Sequence, residues 1–207
     1  MIIDKRLVGK TGKYFNAINT CQFITVHETD NTNYGADAEA HSKLLHRGMY
    51  GASWHYTVDD KRVIQHFEDK VSCWHGGNYQ SNTTSIGIEI CVNSDGDYKK
   101  AVNNAIELIK VLMKRHGISI DKVVQHNHWT GKHCPRRLRE GSHGVTWASL
   151  KQSIQGSVKP HVINPGDDID VLVKDTIRGK YGNGETRKKL LGSKYAEVQK
   201  RINKMYM

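Results

Sequence analysis

Histidines and a cysteine cluster in the segment HNHWTGKHCP, residues 126–135. Imidazole and thiolate are ligands that zinc prefers, and a catalytic zinc site uses three protein ligands with one position left for water. His126 and Cys134 stand at the end of a predicted strand and on the far side of a loop, so both can reach one metal ion. His27 ends another predicted strand and can supply the third ligand. The alternative is that these histidines are exposed or capping side chains, as histidines at strand ends usually are.

A hydrolytic zinc site also needs a base for the water and a cation or donor for the oxyanion. Glu89 lies in the apolar run SIGIEICV, where a carboxylate is costly to bury unless it is paired or used. Lys132 precedes Cys134 by two residues, so in an extended loop both side chains face the same way. A salt-bridged glutamate and an ordinary solvated lysine are the alternatives that the sequence leaves open.

The elements that would position these residues alternate between strands and helices. β-rich apolar runs predict strands, and 3.6-residue periodicity with end signals predicts helices. The predicted strands are 21–27, 84–93 and 121–129, with a hairpin at 53–67, and the predicted helices are 37–47 and 98–116. This order predicts an α/β domain over residues 1–155, with a mixed central sheet flanked by helices. Cys21, Cys73 and Cys91 fall in strand-like apolar contexts and are predicted to be buried thiols.

A change in composition separates the last part of the chain. Residues 156–168 contain two of the three prolines and two glycines, which is typical of a linker. Residues 169–207 then form a predicted small three-helix module, in which Tyr195, Val198, Ile202 and Met205 share one helical face. About forty residues bury little core, so the module can gain stability from a partner copy, and homo-oligomerisation through it is a candidate interaction.

The net charge excludes fewer classes of partner than the motifs do. The formal net charge is +10, which implies an anionic partner without identifying it. No recognition-helix signature and no C-x₂-C…H-x₃-H spacing occurs, so nucleic acid is not an expected partner. No stretch approaches the roughly 20 apolar residues of a membrane span, so stable membrane insertion is not expected. The start, MIIDKRLVGK, lacks the pattern of a secretory signal, so synthesis in the cytoplasm is expected.

Four separated blocks together resemble one known family. They are TVHET, SWHYTVDD, CWHGG with SIGIEI, and QHNHWTGKHCP, and they cover roughly residues 20–150. In this order they resemble the N-acetylmuramoyl-L-alanine amidases, the zinc amidases of phage endolysins and autolysins that share a fold with animal peptidoglycan-recognition proteins. The resemblance implies hydrolysis of the amide between N-acetylmuramic acid and L-alanine of the peptidoglycan stem peptide. It implies Zn²⁺ ligation by His27, His126 and Cys134, with Glu89 as the catalytic glutamate and Lys132 stabilising the oxyanion.

One block departs from some phage members of this family, which carry a catalytic tyrosine directly before a histidine in the hairpin. This sequence has Trp54-His55 there, so the role of base is given to Glu89. His128 and His133 are competing ligands off the family position. The residues expected to line the substrate groove are His46, Trp54, His55, Trp74, His75, Asn82 and Trp129. For the tryptophans, packing in the core is an equal alternative.

The tail resembles the short three-helix cell-wall-binding repeat of certain phage lysins. The matching positions are Gly179, Tyr181, Gly182, Asn183, Gly184, Glu185 and Arg187, and Tyr181, Asn183, Glu185 and Arg187 are the expected wall-binding residues. The two resemblances together predict an endolysin that is made in the bacterial host and acts on the cell wall after release through the membrane. The alternative is a catalytically inactive peptidoglycan-binding protein of the same fold, but both Cys134 and Lys132 are present and favour the enzyme.

Overall fold

The computed structural model describes residues 2–9, 14–48, 51–156, 168–177, 181 and 184–205. The chain divides into two compact units, Met1–Ile154 and Gln155–Met207. None of the helices in the described ranges is both long enough and apolar enough to cross a bilayer.

The first unit contains the strands and the first six helices. The strands are β1 (Ile3–Lys5), β2 (Tyr14–Ile18), β3 (Phe23–Glu28), β4 (Tyr56–Val58), β5 (Val63–Gln65), β6 (Val71–Cys73), β7 (Ser85–Ile90) and β8 (Val123–Gln125). The helices are α1 (Ala38–His46), α2 (Tyr79–Thr84), α3 (Tyr98–His116), α4 (Asn127–Thr130), α5 (Arg136–Glu140) and α6 (Trp147–Ile154).

A mixed six-stranded sheet forms the centre of this unit, in the order β1-β5-β4-β7-β3-β8. Strands β4, β7, β3 and β8 run parallel, whereas β5 is antiparallel to β4 and parallel to β1. Strands β2 and β6 form a separate antiparallel pair. The predicted α/β class with a mixed central sheet is confirmed.

The two faces of the sheet differ in chemistry because side chains alternate along each strand. Ile24 and Val26 of β3 and their partners Ile86 and Ile88 of β7 lie in one core cluster with the apolar stripe of α3. The intervening residues of β3 and β7 form the paired set Thr25↔Gly87 and His27↔Glu89 on the opposite, polar face. This alternation separates the apolar core from the functional face.

Local signals account for the helices that the sequence predicted. Helix α3 spans Tyr98–His116 as predicted, since the Asp97 side chain accepts a hydrogen bond from the Lys100 amide and Gly117 ends the helix at φ +66°. The Asp37 side chain caps α1 in the same way, accepting from the Ala40 amide at 2.9 Å. Both caps satisfy amides that have no partner within their helices.

The predicted strand 121–129 is wrong in its second half. The strand ends at Gln125 and the chain enters α4. The Asn127 side chain donates to the carbonyls of Gly131 (2.8 Å) and Lys132 (3.0 Å), and Gly131 takes up φ +76° to end the turn. These local bonds close a turn that competes with continuation of the strand.

The second unit contains α7 (Ile169–Ile177), α8 (Gly184–Leu191) and α9 (Tyr195–Met205). These helices enclose their own small apolar cluster of Leu172, Val173, Tyr181, Leu191 and Val198. Tyr195 and Ile202 pack against it as expected, but Met205 is 63% exposed because it lies at the end of α9. Most of the predicted linker, residues 157–167, lies outside the described residues.

Candidate metal centre and active site

His27, His126 and Cys134 meet at the carboxyl ends of two neighbouring parallel strands. Their ligand atoms all lie within 4.8 Å of one another. His27 Nδ1 is 3.0 Å from His126 Nδ1 and 3.8 Å from Cys134 Sγ. All three residues are buried, with at most 7% of their surface exposed. Two imidazoles and a thiol in this arrangement form a donor set that suits zinc.

The sheet brings these residues together from distant parts of the sequence. His27 ends β3 and His126 directly follows β8, and the two strands pair in parallel with Val26 opposite Gln125. Carboxyl ends of parallel strands meet at one edge, which is where open α/β sheets bind their ligands. The Asn127 amide donates to the Cys134 carbonyl at 3.1 Å, which folds the loop back and returns Cys134 to this edge.

Glu28 anchors the chain just after Cys134, a role that sequence analysis did not predict. Its buried carboxylate accepts hydrogen bonds from the backbone amides of Arg137 (2.7 Å) and Leu138 (3.2 Å) at the start of α5. It also accepts from the Tyr98 hydroxyl of α3 at 2.6 Å. Glu28 therefore ties the segment that follows Cys134 to the strand that carries His27. The sequence signal was a second polar residue, directly after His27, at the end of a buried strand.

Glu89 lies on the same face as His27, its partner in the β3–β7 ladder. Its Oε1 is 4.0 Å from His27 Nδ1, and its side chain is 16% exposed. Its Oε2 is buried and has no hydrogen-bond partner among the described residues. Burial raises the pKa of Glu89 to about 8, against the opposing effect of the Lys132 charge. The carboxyl thus has an oxygen available and a pKa suited to exchanging a proton near neutrality.

The raised pKa of Glu89 predicts a pH-dependent cost of stability in the metal-free protein. The folded chain holds this proton up to about pH 8, whereas the unfolded chain releases it near 4.5. The contribution of this proton to the free energy of unfolding is therefore fully present below pH 4.5 and is lost as the pH rises through about 8. We expect metal-free Glu89→Gln, which cannot ionise, to melt at a higher temperature than metal-free wild type, by a margin that grows over this range. Calorimetry in excess chelator measures the margin, and a margin independent of pH would contradict the prediction.

Burial also keeps the three ligand side chains uncharged in the absence of metal. It lowers the pKa of His126 to about 4, with a further contribution from Lys132, and lowers that of His27 well below its usual 6.5. It raises the pKa of the Cys134 thiol to about 12, and the Glu89 carboxylate adds to this effect. The imidazoles are thus ready to donate lone pairs, and metal binding must displace the thiol proton.

Lys132 is exposed at the mouth of the site. Its positive charge lowers the pKa values of Glu89, His27 and His126. Lys132 is therefore close enough to act electrostatically on the cluster, although it contacts none of these groups through a hydrogen bond in the described part of the chain. An exposed ammonium beside a buried site can stabilise negative charge that develops there.

Four of the residues expected to line the groove are buried. Trp54 packs with Phe67 and Cys73 and donates from Nε1 to Thr57 Oγ1 at 2.7 Å. His55 accepts from the Gly87 amide at Nδ1 (2.9 Å) and lies 2.8 Å from the Val71 carbonyl at Nε2, so both ring nitrogens are engaged. The other two, His75 and Asn82, bond within the fold as described below. Substrate binding stays a prediction for these residues, and their internal contacts favour a supporting role.

The other three groove residues are partly or fully exposed. Trp74 is 40% exposed, and His46 lies at the exposed end of α1. Trp129 is partly buried, donating from Nε1 to Thr25 Oγ1 at 2.9 Å and meeting Phe23 edge-on. Substrate contact stays a prediction for all three.

The competing ligands lie outside the cluster. His133 bonds to Glu140 at 2.9 Å, and the exposed His128 meets Trp129 edge-on, with ring centroids 4.8 Å apart. Neither joins the group of donor atoms formed by His27, His126 and Cys134 in the described residues.

The wall-binding residues predicted in the tail are only partly described. Tyr181 is 1% exposed and belongs to the apolar cluster of the second unit. Arg187 donates to Gln199 Oε1 at 3.1 Å, which links α8 to α9. Asn183 and the side chain of Glu185 lie outside the described residues. Wall contact stays a prediction, and the burial of Tyr181 favours a structural role for that residue.

Two known families match the chain. The family described as N-acetylmuramoyl-L-alanine amidase matches residues 17–137. The CW_7 repeat matches residues 170–205.

Individual relatives agree with the first of these matches. The N-acetylmuramoyl-L-alanine amidase XlyA of Bacillus subtilis is 45% identical over 155 residues, covering 73% of this chain and 50% of that protein. The N-acetylmuramoyl-L-alanine amidase CwlH of Bacillus subtilis is 45% identical over 141 residues, covering 67% of this chain and 54% of that protein. The chain thus spans about half the length of the curated relatives it matches.

Solved structures show the same fold. The catalytic domain of XlyA superposes with a TM-score of 0.69 at 43% identity, covering 74% of this chain and 99% of that domain. PlyL superposes with a TM-score of 0.67 at 33% identity, covering 74% of this chain and 97% of that structure.

Proposed function

Because the chain belongs to the N-acetylmuramoyl-L-alanine amidase family, we propose that it hydrolyses the amide between N-acetylmuramic acid and the L-alanine of the peptidoglycan stem peptide. The observation that carries the proposal is the buried group of His27, His126 and Cys134, whose donor atoms lie within 4.8 Å of one another. On the same face, Glu89 Oε2 has no hydrogen-bond partner among the described residues and would add a base to this group. A metal site with an adjacent carboxylate contains the groups that a metal-assisted hydrolase uses.

The donor set fits zinc better than it fits Mg²⁺ or Ca²⁺. Two imidazoles and one thiolate exclude Mg²⁺ and Ca²⁺, which prefer oxygen ligands. Three protein ligands leave a fourth tetrahedral position for water or substrate, as in catalytic zinc sites. When bound, zinc would supply a Lewis acid that lowers the pKa of water and polarises the scissile carbonyl.

The protein's own residues would handle the proton and the charge. With zinc bound, the positive charge of the metal ion would keep Glu89 ionised near neutral pH. Its Oε2, which has no other partner in the described part of the chain, would then accept the proton of the attacking water. The Lys132 ammonium would stabilise the negative charge that develops on the carbonyl oxygen. Glu89 would then deliver the proton to the alanine nitrogen as the amide bond breaks.

The second unit would act as a cell-wall-binding module. The match to the CW_7 repeat supports this assignment, as does its separate apolar core of Leu172, Val173, Tyr181, Leu191 and Val198. One such module would bind without avidity, because avidity requires several linked binding sites. A superposed structure described as a mutant endolysin from Bacillus subtilis is 43% identical to this chain and supports the assignment as an endolysin. Action on the wall after release from the bacterial cytoplasm stays a prediction.

End-group analysis of digested peptidoglycan tests the proposal. We expect new alanine amino groups and no new reducing sugars, loss of this activity in excess chelator, and recovery when zinc is returned. A chain ending at Gln155 keeps the whole first unit, so we expect it to cleave soluble fragments normally and to sediment less with intact walls.

Two results would contradict the proposal. New reducing ends would identify a glycosidase. Sedimentation with walls without new ends of either kind would identify an inactive peptidoglycan-binding protein.

A further inference from the structure

His75 lies directly behind the candidate ligand His27. His27 Nε2 is 3.0 Å from His75 Nδ1, and the two rings stand at 87° with their centroids 5.2 Å apart. His75 Nε2 is in turn 3.2 Å from the backbone carbonyl oxygen of Ser85. His27, His75 and Ser85 therefore form a hydrogen-bonded series that starts at the backbone of β7 and ends at the metal site.

The direction of each bond in this series follows from the Ser85 carbonyl. A carbonyl oxygen only accepts, so His75 Nε2 must carry a proton and donate it. Both nitrogens of His75 are engaged and no carboxylate contacts it among the described residues. A buried charge without an acidic partner is costly, so the ring is neutral and its Nδ1 holds a lone pair. His27 Nε2 must then donate to His75, which leaves the lone pair of His27 on Nδ1.

Nδ1 is the nitrogen of His27 that faces the other two candidate ligands. It is the atom 3.0 Å from His126 Nδ1 and 3.8 Å from Cys134 Sγ. The tautomer that the series enforces is therefore the one that can bind a metal ion. In the other tautomer, a proton on Nδ1 would have to be displaced first.

The surrounding residues hold the His75 ring in place. Gly87 of β7 leaves room for it, since an added Cβ would lie 2.7 Å from His75 Cγ. Asn82 Oδ1 accepts from the backbone amides of His75 (3.0 Å) and Gly76 (2.8 Å), which fixes the loop that carries the ring. These contacts also explain why His75 and Asn82 are buried.

We propose that His75 is a positioning residue that fixes the tautomer and orientation of His27 and so strengthens metal binding. The proposal rests on the proposed function, because it takes His27 as a ligand of the metal ion. Partners of this kind in metal sites contribute about 10- to 100-fold to metal affinity. His75 acts through His27 and does not touch the substrate.

Zinc affinity, measured by competition with a chromophoric chelator, tests the proposal. We expect His75→Ala to bind zinc about 10- to 100-fold more weakly than wild type. Gly87→Ala keeps the imidazole but displaces it, so we expect this variant also to bind zinc more weakly than wild type. It provides the test if His75→Ala fails to fold. His143→Asn is the matched control, since His143 is exposed, lies outside the site, and has a φ of +57° that asparagine tolerates.

Side-chain nitrogen NMR of the metal-free wild type provides a readout that a general loss of stability would not move. We expect His27 to exist as the Nε2–H tautomer alone, with a proton protected from exchange, and to become a mixture of tautomers in folded His75→Ala. An Nδ1–H tautomer in the wild type, or wild-type zinc affinity in both variants, would overturn the proposal. A wild-type protein that binds no zinc would instead overturn the proposed function itself.

Discussion

Replacing Cys134 with serine is expected to abolish stoichiometric zinc binding and to reduce amidase turnover by about 1000-fold. A serine hydroxyl stays protonated at neutral pH and is a poor substitute for thiolate as a zinc ligand. A metal ion stabilises transition-state charge by several kcal/mol, and ~4 kcal/mol corresponds to about three powers of ten in rate. Metal analysis of the purified protein and release of alanine amino groups measure the two effects.

The Cys21→Ser variant is the matched control. Cys21 is also buried, and its thiol lies 3.2 Å from the Asp69 carbonyl, a hydrogen bond that a serine hydroxyl can keep. We expect this variant to retain zinc and activity. Full zinc content and wild-type turnover in Cys134→Ser would show that Cys134 is not a ligand.

Replacing Glu89 with glutamine is expected to reduce turnover by between about 100- and 10,000-fold, the usual contribution of a general base or acid. Glutamine has nearly the same shape, but its amide cannot accept a proton from water at neutral pH. Because Glu89 is not part of the proposed ligand set, zinc affinity should not fall. Turnover of the zinc-saturated variant, together with chelator competition, separates the loss of a base from the loss of the metal ion.

The Glu107→Gln variant controls for the change of charge. Glu107 lies on the exposed surface of α3, where it pairs with Lys110 at 2.8 Å. Its replacement removes one negative charge far from the chemistry, so activity should persist. If Glu89→Gln proved as active as Glu107→Gln, the base would have to be another group.

The parts of the fold that could be predicted are those specified by local signals. Helix α3 combines an N-cap, an apolar stripe and a terminal glycine, and its bounds were predicted correctly. Strands β1 and β6 could not be predicted, because each has only three residues and, unlike the equally short strands of the hairpin, pairs with a strand that is distant in the sequence. The strand predicted over 121–129 was wrong in its second half, since the side-chain hydrogen bonds of Asn127 outweigh the strand propensity of the segment as a whole.

In the candidate site, too, some features follow from local sequence signals and others depend on the fold. Residue chemistry and strand ends made His27, His126 and Cys134 candidate ligands, and the resemblance to the amidase family selected them as one set. The roles of Glu28 and His75 could not be predicted, because they depend on which backbone groups the fold brings to each side chain. A histidine that lines a groove and one that supports a ligand look alike in sequence, and only burial distinguishes them.

The spacing of the ligands along the chain has a kinetic consequence. His27 is separated from His126 by 99 residues and from Cys134 by 107, and parallel strands bring them together. Such non-local pairings form late and slowly during folding, because a long loop must close first. The three-ligand site therefore cannot exist before β3 and β8 have assembled. A metal ion bound at this site would therefore slow unfolding of the native state without speeding its formation.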